Sequence, residues 1–203
     1  MRFVTAPTRI AATALVLLVA GAASCAKTGT ATGEQTPEEP PATARGGAPA
    51  FRVPVDAEAA VGKAGLRVVE KGEPPIVQFR AHLDVVINDH AVTVPRGIGV
   101  IDEQQSSPLT TKDDTGVLYV SSPRKETFRL GQVFQQWNVP LGKDCVASFC
   151  ASTNPDKQLL AFVNGELTVD PSTIQLTDGA EIVVWYGDRD VNPKVPTSYT
   201  FTN

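Results

Sequence analysis

Few side chains in this chain are equipped for chemistry. It has two histidines, His82 and His90, and three cysteines, Cys25, Cys145 and Cys150, with adjacent carboxylates at Asp113 and Asp114 inside "LTTKDDTGVLYVSS" (109–122). Paired carboxylates do acid–base work when they are held across a substrate in unlike environments. Neighbours in a polar turn are both solvated and both ionised, and calcium wants about six to eight oxygens, more than "DD" supplies. Asp and Thr ahead of Gly116 therefore predict a turn whose side chains accept backbone hydrogen bonds. Ser106, Ser107, Ser121 and Ser122 lie in loop or strand-end contexts, with no GxSxG elbow. "DCVASFC" spaces its cysteines more widely than the CxxC of redox and zinc sites, so a small loop-closing disulfide, Cys145 to Cys150, is expected. No catalytic residue and no cofactor is predicted.

The elements around these residues come next. "HLDVVINDHAVTVP" (82–95) alternates into Asn88-Asp89, a two-residue primed turn, and out again. That register pairs Ile87 with His90, Val85 with Val92 and Leu83 with Val94 on an apolar face, leaving His82, Asp84, Val86 and Thr93 on the other. The two imidazoles then sit on opposite faces and cannot share an ion. His90 is expected at the edge of the core face, and His82 at the surface or half-buried. If any metal is held, its ligands would be His82, Asp84 and Asp113; the expectation is none.

A second hairpin, "LLAFVNGELTV" (159–169), turns at Asn164-Gly165. Phe162 opposes Leu167 and Leu160 opposes Val169 on one apolar face; Val163 with Glu166 and Ala161 with Thr168 take the other. "EIVVWY" (181–186) supplies a further strand. Between the hairpins, "TFRLGQVFQQWNV" (127–139) places Leu130, Val133, Phe134 and Trp137 on one face of a helix, with Gln132, Gln135 and Gln136 opposite. Burying those four is worth about 2 kcal/mol each, reason enough for them without a ligand. In "VDAEAAVGKAGLRVV", Ala57, Ala60, Val61 and Ala64 have helical spacing, and Gly65 stands where that helix stops. The predicted class is α+β: a small mixed sheet of two hairpins and further strands, with one amphipathic helix packed on it. An all-β sandwich is the alternative.

The chain's beginning indicates where it works. Arg2 and Arg9, the apolar "IAATALVLLVAGAA" and the small residues before Cys25 read as a bacterial lipoprotein signal over 1–24, with Cys25 lipidated. Residues 25–54, rich in Thr, Pro, Gly and Ala, form a tether, and 55–203 a single globular domain. Loss of Arg2 and Arg9 from the 18 Lys and Arg leaves 16 against 22 acidic residues. A net negative chain without a basic cluster argues against nucleic acid as partner, and leaves the lipid to do the anchoring.

The ordered blocks "AGLRVVEKG", "RAHLDVVINDHAVTVPRGIGV", "PLTTKDDTGVLYVSSP", "TFRLGQVFQQWNV", "DCVASFC", "LLAFVNGE" and "IQLTDGAEIVVWYG" resemble an uncharacterised family of secreted or membrane-anchored bacterial proteins, frequent in actinobacteria. The family pattern carries histidines at the places of Gln78, Arg80, His82, Thr110, Lys112 and Tyr119, and a Glu at that of Ser121. The resemblance implies relatives with an imidazole-rich metal cluster, and this chain, keeping His82 and Asp113, as a histidine-depleted member. Helix, "FVNG" and "IQLTDGAEIVVWYG" also resemble the final half of β-grasp domains. The function expected is a lipid-anchored module on the extracytoplasmic face of the cell membrane, non-enzymatic, binding an envelope protein or cell-wall ligand. The alternatives are an extracytoplasmic metal-handling protein for copper, zinc or iron with a degenerate site, and an envelope hydrolase.

Overall fold

The computed structural model describes residues 49–202. The signal, Cys25 and most of the tether lie outside the described residues. Helix α1 (Ala57–Lys63) leads into β1 (Val69–Glu70), β2 (Val77–Ile87), β3 (His90–Val92), β4 (Gln105–Ser106), β5 (Leu109–Thr111) and β6 (Val117–Ser122). Helix α2 (Leu130–Trp137) follows, then β7 (Cys145–Val146), β8 (Phe149–Cys150), β9 (Lys157–Val163), β10 (Glu166–Thr168) and β11 (Glu181–Asp188). No helix among the described residues is long and apolar enough to cross a membrane.

The main sheet runs β10-β9-β11-β2-β6-β5, with β3 paired to the far end of β2. Its two central strands, β2 and β11, are parallel, and every other pairing is antiparallel. The connection that makes a parallel pair possible carries α2, as the crossover rule requires. One face of the sheet packs under that helix: Leu83, Val85 and Ile87 of β2 and Ile182 and Val184 of β11 share a core with Leu130, Val133, Phe134 and Trp137. The fold is α+β, a mixed sheet with one amphipathic helix laid on it.

Both turns form as their residues dictate. Asn88 and Asp89 sit at φ 50° and 63°, and Asn164 and Gly165 at 52° and 83°, the left-handed pair of a type I′ turn. The registers Ile87–His90, Val85–Val92, Phe162–Leu167 and Ala161–Thr168 follow. Three expectations need correction. The first ladder stops at Val92, so Val94 is buried but does not pair with Leu83. In the second hairpin the faces are exchanged: Ala161 and Val163 enter the main core, while Phe162 and Leu160 pack on the opposite side with Val183 and Trp185. The cause lies in β11, whose core residues Ile182 and Val184 pair with Val163 and Ala161. Leu167 and Val169 stay exposed because β10 is a three-residue edge strand. Gln136, expected on the polar side of α2, is instead buried, with neither carboxamide atom bonded among the described residues.

At the N-terminal end, α1 carries Asp56 as its cap, stops at Gly65 (φ +67°) and packs against α2. Phe51 and Val53 also pack on the core, and the Phe51 carbonyl accepts from Trp137 Nε1, so packing begins earlier than residue 55. Cys145 and Cys150 form the disulfide. It closes the β7–β8 hairpin, which inserts fully buried Val146 into the core and sets Phe149 against Tyr186.

Candidate functional site

Strand alternation decides what the second face of the sheet carries. With Leu83, Val85 and Ile87 committed to the helix side, His82, Asp84 and Val86 must project from the other. The same holds in β11, where Ile182 and Val184 point into the core and Glu181, Val183 and Trp185 point out. The parallel register sets Glu181 beside His82, Val183 beside Asp84 and Trp185 beside Val86. A His–Glu pair and a neighbouring carboxylate thus come from segments 99 residues apart.

This outer face is not open to solvent. After β11 the chain turns back and residues 191–202 lie over it. Val195 packs on the Phe162–Val183–Trp185 cluster, and the Tyr199 ring stacks on the His82 imidazole, with centroids 3.7 Å apart and planes at 9°. Phe201 receives the Arg80 guanidinium 5.0 Å from its centroid, and the Thr202 carbonyl accepts from Arg80 Nη1. His82, expected at or near the surface, is consequently buried, while His90, expected at the edge of the core face, is exposed. The reason is the same for both: tail residues cover the outer face at His82, and no described residue covers His90 at the hairpin tip.

Both ring nitrogens of His82 are engaged. Nε2 lies 2.7 Å from the Thr115 carbonyl oxygen and Nδ1 lies 2.8 Å from Glu181 Oε2. A carbonyl only accepts, so Nε2 carries a hydrogen. One proton then lies between Nδ1 and Glu181, on the ring or on the carboxyl. Burial holds the Glu181 carboxyl above the ordinary carboxylate range; His82 opposes that shift and Asp84 adds to it. The second Glu181 oxygen, Oε1, is buried with no hydrogen-bond partner among the described residues. Ligand atoms of His82, Asp84 and Glu181 all lie within 4.8 Å of one another.

The loop opposite is built around the same imidazole. Asp113 accepts from the Thr115 amide at 3.0 Å and from its hydroxyl, and these bonds hold its carboxyl below the ordinary value. Asp114 accepts from the Arg96 amide at 2.8 Å. Asp113 serves as an acceptor for its own loop and Asp114 ties that loop to the Pro95–Arg96 segment, and Asp113 reaches His82 only through Thr115. Gly116 follows at φ +83°, where a Cβ would lie 2.4 Å from the Leu83 carbonyl oxygen and 3.1 Å from His82 Nε2. Only glycine lets this loop close on the imidazole.

Of the three residues named as the ligands if any metal were held, the fold brings together His82 and Asp84 and leaves Asp113 one step outside. Glu181 takes the third place. Its sole sequence signal is a carboxylate opening an otherwise apolar strand, "EIVVWYG". The positions that the family resemblance marks also share this face: Gln78 pairs with Ser121, and Arg80 and Thr110 each pair with Tyr119. Lys112 places its ammonium 4.1 Å from the Tyr119 ring centroid. Beyond the cluster, Asp84, Val86, Val183, Trp185, Lys194 and Pro196 line a groove of about 350 Å³ between sheet and tail. Compared with protein-family models, with curated proteins and with solved structures, the chain shows no match.

Proposed function

We propose that this protein is a lipoprotein of the bacterial envelope, anchored through Cys25 at the extracytoplasmic face of the membrane, whose domain binds a ligand without transforming it. The observation that carries the binding reading is the groove between the outer sheet face and the tail. It is apolar along Val86, Val183 and Trp185, with Asp84 and Lys194 as oppositely charged polar contacts, the mixture typical of ligand-binding clefts. The protonation geometry of His82 favours binding over hydrolysis. A general base needs a ring nitrogen facing the proton it abstracts, and here a carbonyl and a carboxylate occupy both. An envelope protein or a cell-wall fragment is the ligand class that fits the location.

Two measurements test the reading. Cys25→Ala is expected to move the protein from the membrane fraction into the medium, or to leave an unprocessed precursor. Mass spectrometry of the native protein showing an unlipidated chain that begins at Ala26 would remove the anchor from the proposal. For the groove, the ¹⁵N-labelled mature chain is titrated with solubilised peptidoglycan fragments and, separately, with detergent-extracted envelope proteins. Amide shifts concentrated at Asp84, Val86, Trp185 and residues 191–196 are expected from one of these. Shifts confined to α1 or the β7–β8 hairpin, or no shifts from either, would refute it.

A further inference from the structure

We infer that His82, Asp84 and Glu181 form a binding site for a divalent first-row transition cation, with Zn²⁺ as its representative. The inference goes beyond the ligand-binding reading: it concerns the wall of the groove rather than its contents, and it stands whatever the groove takes.

Three observations converge on it. The first is the tautomer. With Nε2–H donated to the Thr115 carbonyl at 2.7 Å, Nδ1 is the nitrogen turned toward the carboxylates, and its lone pair is available to an ion once the proton shared with Glu181 leaves. A metal-ligating histidine is held in this way, one nitrogen on the ion and the other donating to a carbonyl or carboxylate behind it. The second is the unpartnered oxygen. Glu181 is 1% exposed, sits within the cluster, and has Oε1 without a bond among the described residues. A buried acceptor is seldom left unsatisfied, and a cation shared with Asp84 supplies what it lacks. The third is charge. Among the described residues no Lys or Arg forms an ion pair with Asp84 or Glu181. An arriving ion displaces the proton held between Nδ1 and Glu181 to solvent, and the neutral imidazole with two carboxylates that remains carries two negative charges for one divalent ion to offset.

The geometry is close to what an ion needs. Ligand atoms around tetrahedral zinc stand about 3.3 Å apart for bonds of roughly 2.0 to 2.1 Å. Nδ1 and Oε2 are already 2.8 Å apart, and the full set lies within 4.8 Å. The remaining closure falls to Asp84, the half-buried member, which also lines the groove. Three protein ligands leave a coordination position open on that side, so the ion has a route in and a place for water or a bound ligand. One imidazole with two carboxylates suits zinc or manganese, whereas calcium prefers an all-oxygen shell of about six to eight ligands.

The test uses the mature chain purified without an affinity tag, stripped with a chelator and titrated with Zn²⁺ by calorimetry. One equivalent is expected, with no competition from millimolar Ca²⁺ and a rise in Tm on saturation. Asp84→Asn and Glu181→Gln should each weaken affinity about a hundredfold, at or above the upper end seen for losing even an outer-shell partner. His90→Ala, which alters the exposed imidazole, should bind as the native chain does. Should Glu181→Gln fail to fold, as judged by circular dichroism, Asp84→Asn decides. Absence of stoichiometric Zn²⁺ binding, undiminished affinity in folded Asp84→Asn, or loss of binding in His90→Ala would each overturn the inference. None of these outcomes bears on the envelope-ligand titration, so the two readings fail separately.

Discussion

Trp137→Ala is expected to destabilise the domain by about 3 to 5 kcal/mol, the range for truncating a large buried aromatic. The indole is 1% exposed at the last position of α2. Its ring meets Phe134 at 5.5 Å and the edge of Phe51 at 5.9 Å, and Nε1 donates to the Phe51 carbonyl at 3.3 Å. Removing it opens a cavity where helix, sheet and entering chain meet, and leaves the Phe51 carbonyl without its donor. Because both the ring and the carbonyl of Phe51 rest on the indole, its segment should loosen first, so amide exchange around residues 49–53 should rise more than in β2 or β11. At roughly 2 to 4 °C per kcal/mol for a domain of this size, Tm should fall by about 10 °C. Leu167→Ala, at an exposed edge position, is the matched control and should change stability by less than about 0.5 kcal/mol. A Trp137→Ala protein within about 1 kcal/mol of the native chain would mean that the helix face rather than the ring carries the packing.

The contrast between Trp137 and Leu167 shows where local pattern suffices. A helix face is defined by residues a few positions apart, so the α2 stripe is legible directly, and both hairpin registers follow from turn residues that tolerate positive φ. What a turn cannot specify is which face of its hairpin is covered. In β9 that was decided by β11, which pairs Val184 with Ala161 and so draws the small side of the strand into the core. A strand that follows in sequence and inserts between two earlier ones leaves no trace in the alternation of either. Gln136 shows the complementary limit: the wheel that buries Trp137 also brings its neighbour under Gly99, whose missing Cβ leaves just enough room for the carboxamide.

The candidate site was legible only in part for the same reason. His82 and Asp84 share a strand and a face, so alternation brings them together. Glu181 joins them only through the parallel register of β2 and β11, a tertiary fact that no window of sequence contains. The tail that buries the cluster alternates, with Val195, Tyr199 and Phe201 turned inward and the Tyr199 and Phe201 rings edge to face, but the face it covers is fixed by tertiary contacts with His82, Arg80 and the Phe162–Val183–Trp185 cluster. Burial of His82 therefore could not be read from its own strand, where an outward histidine looks solvated. Asp113, grouped with His82 through the family resemblance, spends its carboxylate on Thr115 and touches the imidazole's surroundings only by fixing the carbonyl that Nε2 faces.

The His82–Glu181 pair itself makes the sharpest prediction about why it is there. Glu181→Leu removes one partner and strands Nδ1 in a buried setting, and His82→Phe keeps the stack on Tyr199 but strands the Glu181 carboxyl. Each single change should cost about 3 to 5 kcal/mol, the cost of breaking a buried pair from one side. The double change removes both polar partners and fills the space with apolar groups. It should lie within about 2 kcal/mol of the native chain, the residue being the Thr115 carbonyl that loses its donor. Urea unfolding of the four proteins gives a coupling energy of several kcal/mol if this is right, whereas costs that simply add would show that the two side chains stabilise the fold independently. Strong coupling has a functional reading. A pair that apolar residues replace with little loss is not needed for stability, and its retention under the tail then belongs to what it binds. The double variant, folded and lacking Nδ1 and both Glu181 oxygens, is expected to have lost the Zn²⁺ site while keeping the groove of Val86, Val183 and Trp185.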